Sequence, residues 1–369
     1  MMDSLERRNF LKNGVFSAGL LFLKPYLELF KKIDEHAIPT WVQLVEVAKW
    51  CPTIHNLQPH RLKIINSEAA HLYYDPTRTL PHGDPEGIFV TIALGIFIEH
   101  LSIAAGPFGY KVVLSKFVNP VDTKAANNQL FAELQLVKIA EKEALDAQLI
   151  FQRRTSRLHY DGKPLKKEAI DEMKEEAAKY NHAFFSNSSE QFIQPVIEAN
   201  QKTLFDDLNN NENRAELDRL FRYTDTDAEK YKDGLWYKAM CFPGKLMRSV
   251  FQNHEKWNHG LRSQVLGSYY QYSFAGTSTI CWFSGKFDNP NDWIKAGYMF
   301  ARTWLILTKH DAYLHPFGTL ITNQEAYAKM NLIMDSGPAE KKLWMIFRAG
   351  YSKVPVRSFR LATNEIILK

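Results

Sequence analysis

The order of apolar and polar positions divides the chain into recurring units. Over 39–50 the apolar residues Trp41, Leu44, Val45, Val47 and Ala48 fall on one helical face, and Cys51-Pro52 stops the pattern. Residues 61–65 and 71–74 read as two strands around a turn at 66–70, a β-hairpin. Residues 88–105 are nearly all apolar, as in a helix buried on every side, and Gly106-Pro107 ends them. Strands follow at 110–117 and 131–139. A second unit opens with a helix at 146–153, a charged helix at 166–180 and a strand at 183–186. Residues 200–260 are polar, aromatic-studded and weakly periodic, which predicts short helices and loops in an insertion long enough to act as a lid. After it the pattern predicts a strand near 278–283, a helix at 292–310, a loop at 315–319, a short helix at 323–330 and a strand at 343–349. The apolar tail 361–368 suits an edge strand or packing on a neighbour.

This mixture of a hairpin, further strands and intervening helices reads as an α+β fold with mainly antiparallel sheets and surrounding helices. Its expected organisation is a signal-like segment at 1–32, a first half at 33–145, and a second half at 146–369 that carries the insertion at about 200–260. Both halves run helix, strand, helix, strand.

Composition narrows the class. With 369 residues, 45% apolar, 13% aromatic and 24% charged, the chain is long enough for two units and has an ordinary folded composition. The formal charge of +5 comes from cations scattered among acids, which argues against a nucleic-acid surface. Three cysteines, Cys51, Cys241 and Cys281, are too few and too far apart for a disulfide scaffold or a thiolate zinc site. His55 with His60, or His254 with His259, lack third and fourth ligands at zinc spacing, so no metal is expected. Cys51 reads as a small packing residue.

At the N-terminus, basic residues precede the apolar run 14–23, which is far short of the ~20 residues a spanning helix needs. Basic-then-apolar order is that of an export signal. Arg7, Arg8, Phe10, Leu11 and Lys12 resemble a twin-arginine signal, with Glu6 where a hydroxyl residue is usual and no clear cleavage site. That resemblance implies a periplasmic location; an N-terminal amphipathic helix on a cytoplasmic protein is the alternative, and neither includes an integral span.

Four segments carry candidate chemistry. In Cys51-Pro-Thr-Ile-His-Asn-Leu-Gln-Pro-His60 a helix stops and at once presents Thr53, His55, Asn56 and Gln58, donors suited to a polar heteroaromatic ligand; an Asn/Pro turn uses the same residues. Arg153-Arg-Thr-Ser-Arg157 offers guanidinium forks that bind phosphate bidentately, or simply complements a helix end. Leu314-His-Pro-Phe-Gly-Thr319 places Gly318 where backbone N–H groups approach a planar ligand closely. Arg357-Ser-Phe-Arg360 adds two more cations.

Together these segments resemble the nitroreductase superfamily of FMN-dependent oxidoreductases, most closely its Acg-type branch. Further hallmarks are Tyr74 to Pro81 leading to Asp84-Pro-Glu-Gly87, D-W-I-K-A-G at Asp292 to Gly297, and R-A-G-Y at Arg348 to Tyr351. Ordinary members are homodimers in which FMN takes arginines from one subunit and the Asn-x-Gln-Pro loop from the other. Here the first half has only the loop and the second only the arginines, which implies one chain imitating a dimer, monomeric, with one FMN site kept at the seam. The resemblance implies that Arg153, Arg357 and Arg360, with Thr155, hold the FMN phosphate. Arg157 would lie by the pyrimidine edge, where positive charge stabilises the reduced flavin. Pro52, Thr53, His55 and Asn56 would come from the opposite half. Pro316, Phe317 and Gly318 would face the ring, with the Gly318 N–H toward flavin N5. Ile54 and His60 depart from the family pattern.

The function so implied is hydride transfer from a reduced donor, NAD(P)H, through FMN to a small-molecule acceptor. The flavin supplies the reactivity, so no acid/base residue is assigned. The alternative is a flavin-sequestering protein with little turnover, whose insertion covers the ring. Trp236, Tyr237, Phe242 and Trp257 are then lid residues, or only anchors of a long loop.

Overall fold

A computed structural model describes residues 38–369 apart from 142, 335–336 and 338–340. The signal-like stretch at 7–23 lies outside the described residues. Helix α1 (Trp41–Ala48) starts at a reciprocal cap: the Thr40 hydroxyl accepts from the Gln43 N–H while the Gln43 side chain accepts from the Thr40 N–H. Strands β1 (His60–Ile64) and β2 (Ala69–Tyr74) form the hairpin, its turn closed by the Asn66 carboxamide, which accepts from the Glu68 and Ala69 N–H groups. Helix α2 (Ile88–Ala105) is buried along almost its whole length. It is the one helix among the described residues long and apolar enough to cross a membrane, and 78% of that stretch is covered by the rest of the chain. Strands β3 (Tyr110–Phe117) and β4 (Gln129–Lys138) complete this half.

The second half begins with the short α3 (Gln148–Gln152), then α4 (Lys167–Lys179) and β5 (His182–Asn187). The insertion follows: α5 (Glu190–Asn209), α6 (Asn211–Leu220), β6 (Phe221–Arg222), α7 (Asp225–Tyr231), β7 (Leu235–Trp236), α8 (Tyr237–Met240), α9 (Gly244–Gln252) and α10 (Gly260–Tyr272). The chain then returns through β8 (Ile280–Gly285), α11 (Pro290–Lys309), β9 (Tyr313–Pro316), α12 (Thr319–Thr322), α13 (Gln324–Ile333) and β10 (Lys342–Gly350). It ends in α14 (Thr363–Ile366) and β11 (Ile367–Leu368).

The two large sheets share one plan. Their orders are β11-β1-β2-β4-β3 and β5-β8-β10-β9. Taking α1, β1, β2, α2, β3, β4 in turn against α4, β5, β8, α11, β9, β10 gives the same strand order and the same antiparallel pairings. The fold is therefore α+β with mainly antiparallel sheets. The apolar tail does form an edge strand, on the sheet of the other half: Ile367 and Leu368 pair in parallel with Leu62 and Lys63. One core joins both sheets, with Leu62, Leu72 and Phe131 on one side and Phe283, Trp344 and Phe347 on the other. Its axis is the crossing of α2 and α11, where Gly95 and Gly297 let the backbones touch.

The insertion differs from its expectation. It begins before residue 200, in a 20-residue helix, and it is mostly helical through Tyr272. Its weak periodicity reflects helices that are covered on one side by the core and on another by each other. The loop expected at 315–319 is shorter, since His315 and Pro316 finish β9 and Thr319 starts α12.

Candidate functional site

The loop after α1 is conformationally unusual. Its single 3-10 turn, Ile54–Asn56, is separated from β1 by three residues, and His55 (φ 46°), Asn56 (φ 58°) and Gln58 (φ 54°) are all left-handed. Asn tolerates that region, whereas a His or Gln there costs on the order of 1–3 kcal/mol, so the surroundings must enforce it. Gln58 is fully buried and does so. Its N–H donates to the Thr53 hydroxyl at 3.0 Å, its side-chain amide to the Lys232 carbonyl at 2.8 Å, and its Oε1 accepts from the Leu361 N–H at 2.8 Å. Asn56 donates to the Phe359 carbonyl at 3.2 Å. The loop is thus pinned to both the insertion and the C-terminal segment.

Against it converge five arginines. Arg153, 6% exposed at the end of α3, donates to the Trp50 carbonyl at 3.2 Å and lies 4.5 Å over the Trp304 ring. Arg357 lies 4.2 Å over the Trp50 ring, with Arg360 at 5.6 Å from the same ring. Arg154 and Arg157 flank Thr155, which bridges to Leu314 of β9. The largest charges acting on Arg153 are the guanidinia of Arg360, Arg357 and Arg154 and the Cys51 thiol, and none of the five arginines forms an ion pair among the described residues. Nε and Nη1 of Arg153 and Arg154, and Nε of Arg157 and Arg360, are buried without a partner. Burial, and then neighbouring cations, push Arg357 down to about 9; burial pushes Arg360 down to about 10. Arginine does not give up its proton in proteins, so these shifts measure the cost of holding the guanidinia out of water and, for Arg357, beside other cations. An anion with several oxygens relieves that cost and fills the empty donor positions.

The arginines form one end of a cavity of about 990 Å³. Pro52, Thr53, His55, Asn56, Arg153, Thr155, Arg157, Pro316, Gly318, Arg357 and Arg360 all line it. Phe317, expected with them, does not: its side chain is 1% exposed and packs edge-on against Phe274 in a separate apolar cluster. The alternation of β9 explains the exception, since neighbouring residues at a strand end point to opposite sides. A Cβ built on Gly318 would meet nothing within 4 Å, and the Gly318 N–H has no acceptor among the described residues, so its backbone is open to the cavity.

The remaining walls are of two kinds. The insertion contributes an apolar side, including Phe205, Leu208, Phe221, Met247 and Val250, together with the Trp236 and Phe242 named as lid candidates. Tyr237 and Trp257 are not among its lining residues. Glu216 of the insertion holds this side down by accepting from the His82 and Gly83 N–H groups at 3.1 and 2.8 Å. Two histidines sit beside Arg157. Burial, aided by that guanidinium, pushes His55 down to about 4 and His315 far below its usual value, so both are neutral near pH 7.

A second cavity of about 960 Å³ occupies the equivalent place on the other side of the helix crossing. With Gly95 matched to Gly297, Phe89, Ile92, Ala93 and Ile96 in the first cavity correspond to Asn291, Ile294, Lys295 and Tyr298 in the second. Its chemistry is different. Arg302 is saturated by Glu176, Glu99 and Glu143 at 2.6, 2.8 and 2.9 Å, leaving no unpaired guanidinium donors of the kind that crowd the first. No group of three or more His, Cys, Asp or Glu that would hold a metal occurs among the described residues.

Sequence reasoning missed Trp50, Trp304, His315 and Arg348, which lie at or directly behind the wall. Arg154 and His315 sit inside motifs already singled out. Trp50 and Trp304 carry no local signal, because an aromatic on a helical stripe reads as core.

No family model matches the chain. Two uncharacterized proteins of Mycobacterium tuberculosis, from strains CDC 1551 and H37Rv, are each 29% identical over 130 residues. The match covers 32% of this chain and 37% of each relative, so it spans little more than a third of their length. Among solved structures, the FMN and NADPH-dependent nitroreductase of Sphigopyxis sp. strain HMH aligns with 60% of this chain and 97% of its own, at 12% identity and a TM-score of 0.36. The Mycobacterium smegmatis nitroreductase in complex with NADPH aligns with 59% and 94% (16%, 0.33), and the Bacteroides fragilis nitroreductase with bound FMN with 58% and 92% (13%, 0.33). These are loose superpositions.

Proposed function

We propose that this chain is an FMN-dependent oxidoreductase of the nitroreductase type, built as two like halves that imitate a dimer and retain one of two equivalent sites. The observation that carries the reading is the set of five arginines, with empty buried donors and no ion pair among the described residues, at one end of a cavity with an apolar lid. Arg153, Arg357 and Arg360 hold a phosphate monoester, and Thr155 adds a hydroxyl. Pro52, Thr53, His55 and Asn56 line one edge of the ring system, Pro316 and the Gly318 N–H another, and Arg157 offers positive charge to the reduced ring. Bound FMN supplies the hydride acceptor and donor. The volume suits two ligands, cofactor and substrate, and the apolar wall excludes water from the ring. The electron donor is NAD(P)H, and the acceptor is a small molecule that fits under the insertion.

A second reading, flavin sequestration with little turnover, draws on the insertion itself, which Glu216 and Gln58 tie down onto the cavity. The proposal extends to location: twin-arginine export would carry the folded, FMN-loaded chain to the periplasm, with a cytoplasmic protein as the alternative. Cell fractionation with Arg7→Lys/Arg8→Lys as the comparison decides between them.

The test is direct. The purified protein is saturated with FMN, checked for flavin absorbance, then mixed anaerobically with NADH or NADPH. Bleaching followed by reoxidation with an added acceptor supports the oxidoreductase. A bound flavin that never bleaches favours sequestration, and a protein that takes up no FMN overturns both.

A further inference from the structure

Arg348, in the Arg348 to Tyr351 motif, has no role in the proposed site, and it is fully buried. It stands on β10 directly across from His315 of β9, so the two side chains share a face of the sheet. Between them lies the Phe274 ring, parallel to His315 (2° between planes, 5.9 Å between centroids) and 4.7 Å from the Arg348 guanidinium. On its other side Arg348 lies 4.4 Å over Tyr160. The result is a stack, Tyr160, Arg348, Phe274, His315, that runs from the interior to the cavity wall.

The guanidinium also ties three segments together. It donates to the Leu158 carbonyl at 3.0 Å, just after Arg157, and to the Ser273 carbonyl and Thr277 hydroxyl at 3.3 and 3.1 Å, where the insertion rejoins the scaffold. Gly276 in that junction (φ +74°) is packed so tightly that a Cβ would lie 1.9 Å from the Tyr160 carbonyl oxygen. The groups that face Arg348 are Tyr160, Tyr270, Cys241, Arg157 and His315; no carboxylate is among them. A buried cation held only by carbonyls, a hydroxyl and ring faces keeps most of its field, because no counter-charge cancels it.

Resting on the flavin reading above, we infer that Arg348 is a positioning residue with two effects: it fixes Arg157 and the root of the insertion against the cavity, and its uncancelled charge raises the reduction potential of the flavin. A positive field favours the form of the ring that carries the added electrons, while fixed attachment of residues 273–277 keeps the insertion closed over it. Neither effect touches the phosphate end, so cofactor retention and reduction potential separate.

The experiment uses FMN-loaded full-length protein and the variants Arg348→Met, Arg348→Lys and Thr277→Val. Readouts are FMN affinity, midpoint potential by dye equilibration, iodide quenching of flavin fluorescence, and thermal melting. Arg348→Met is expected to bind FMN within about threefold of wild type, with a lower midpoint potential and stronger quenching. Arg348→Lys, which keeps the charge but not the fork, should restore the potential while quenching stays high. Thr277→Val should raise quenching at an unchanged potential. If Arg348→Met fails to fold, the Lys and Val variants decide the matter alone. Folded variants whose potential and quenching all match wild type overturn the inference, whereas wild-type protein that takes up no FMN overturns the flavin reading instead.

Discussion

Gly95 and Gly297 face each other across the crossing of α2 and α11. A Cβ on Gly95 would lie 2.5 Å from the Ile294 carbonyl oxygen, and one on Gly297 would lie 2.4 Å from the Ile92 carbonyl oxygen. Both obstacles are helix backbone, which cannot rotate aside, so an added methyl must push the two helices apart. Since these helices carry residues of both cavities and join the two sheets, Gly297→Ala should cost about 1–3 kcal/mol. Urea denaturation is expected to show a lower midpoint at an unchanged slope. It should also weaken FMN binding, because Phe300 and Trp304 move with α11.

The equivalence of the two cavities sets a stoichiometry. Only the first presents unpaired guanidinium donors, while the second spends its arginine on Glu99, Glu143 and Glu176. Titration with FMN should therefore saturate at one per chain. Glu143→Gln should leave that number and the affinity unchanged. Two FMN per chain would contradict the assignment of the arginine end as the determinant.

In the proposed site Arg153 and Arg360 would hold the phosphate with different weight. Each charge-assisted hydrogen bond contributes about 1.5–3 kcal/mol, so Arg153→Ala should weaken FMN binding by roughly ten- to a hundredfold. Arg360 spends donors on the Ser358 and Phe359 carbonyls, so Arg360→Ala should weaken it less. Riboflavin, which lacks the phosphate, should bind both variants and wild type alike. Calorimetric titration with the two ligands separates the contributions.

His182 governs part of the acid response. It is 5% exposed, its Nδ1 accepts from the Trp344 indole N–H at 3.1 Å, and its ring packs on Gly285. Burial pushes it down to about 4 from 6.5. With the folded value depressed, the unfolded chain takes up the proton first, so the stability His182 contributes is complete above pH 6.5 and is lost as pH falls toward 4. The melting-temperature gap between wild type and His182→Asn should narrow over that window. A gap that stays constant from pH 7 to 4 would refute the assignment.

Much of the fold was legible because its elements carry their own punctuation. The 88–105 helix and the 110–117 strand have the expected ends, since Gly106-Pro107 and Gly109 leave no freedom in where one stops and the next begins. The insertion was not legible: its helices bury faces against a cavity wall and against one another, so no single apolar stripe marks them. At the site, the arginine and Asn-Leu-Gln-Pro segments each had an ordinary structural reading, a helix end and a turn, and only their occurrence together made the resemblance. Trp50 and Trp304 were hidden, since the cations stacked on these rings come from Arg357 and Arg153, more than 150 residues away, and leave no trace in local spacing.

The sequence by itself determined the class of fold and the elements that build it, suggested through a resemblance that an arginine-rich segment meets an amide-rich loop, and left the apolar tail between an edge strand and packing on a neighbour. Local propensity, capping and turn chemistry act within a few residues and suffice for the elements, while the family resemblance supplied the pairing of the two segments. Only the tertiary structure decided which arginines lack counter-ions and that carboxylates neutralise the arginine of the second cavity. It also decided that Phe317 turns into the core and that Arg348 stands behind the wall. Charge balance and burial are sums over segments distant in sequence, and they take definite values only once the two halves pack around Gly95 and Gly297.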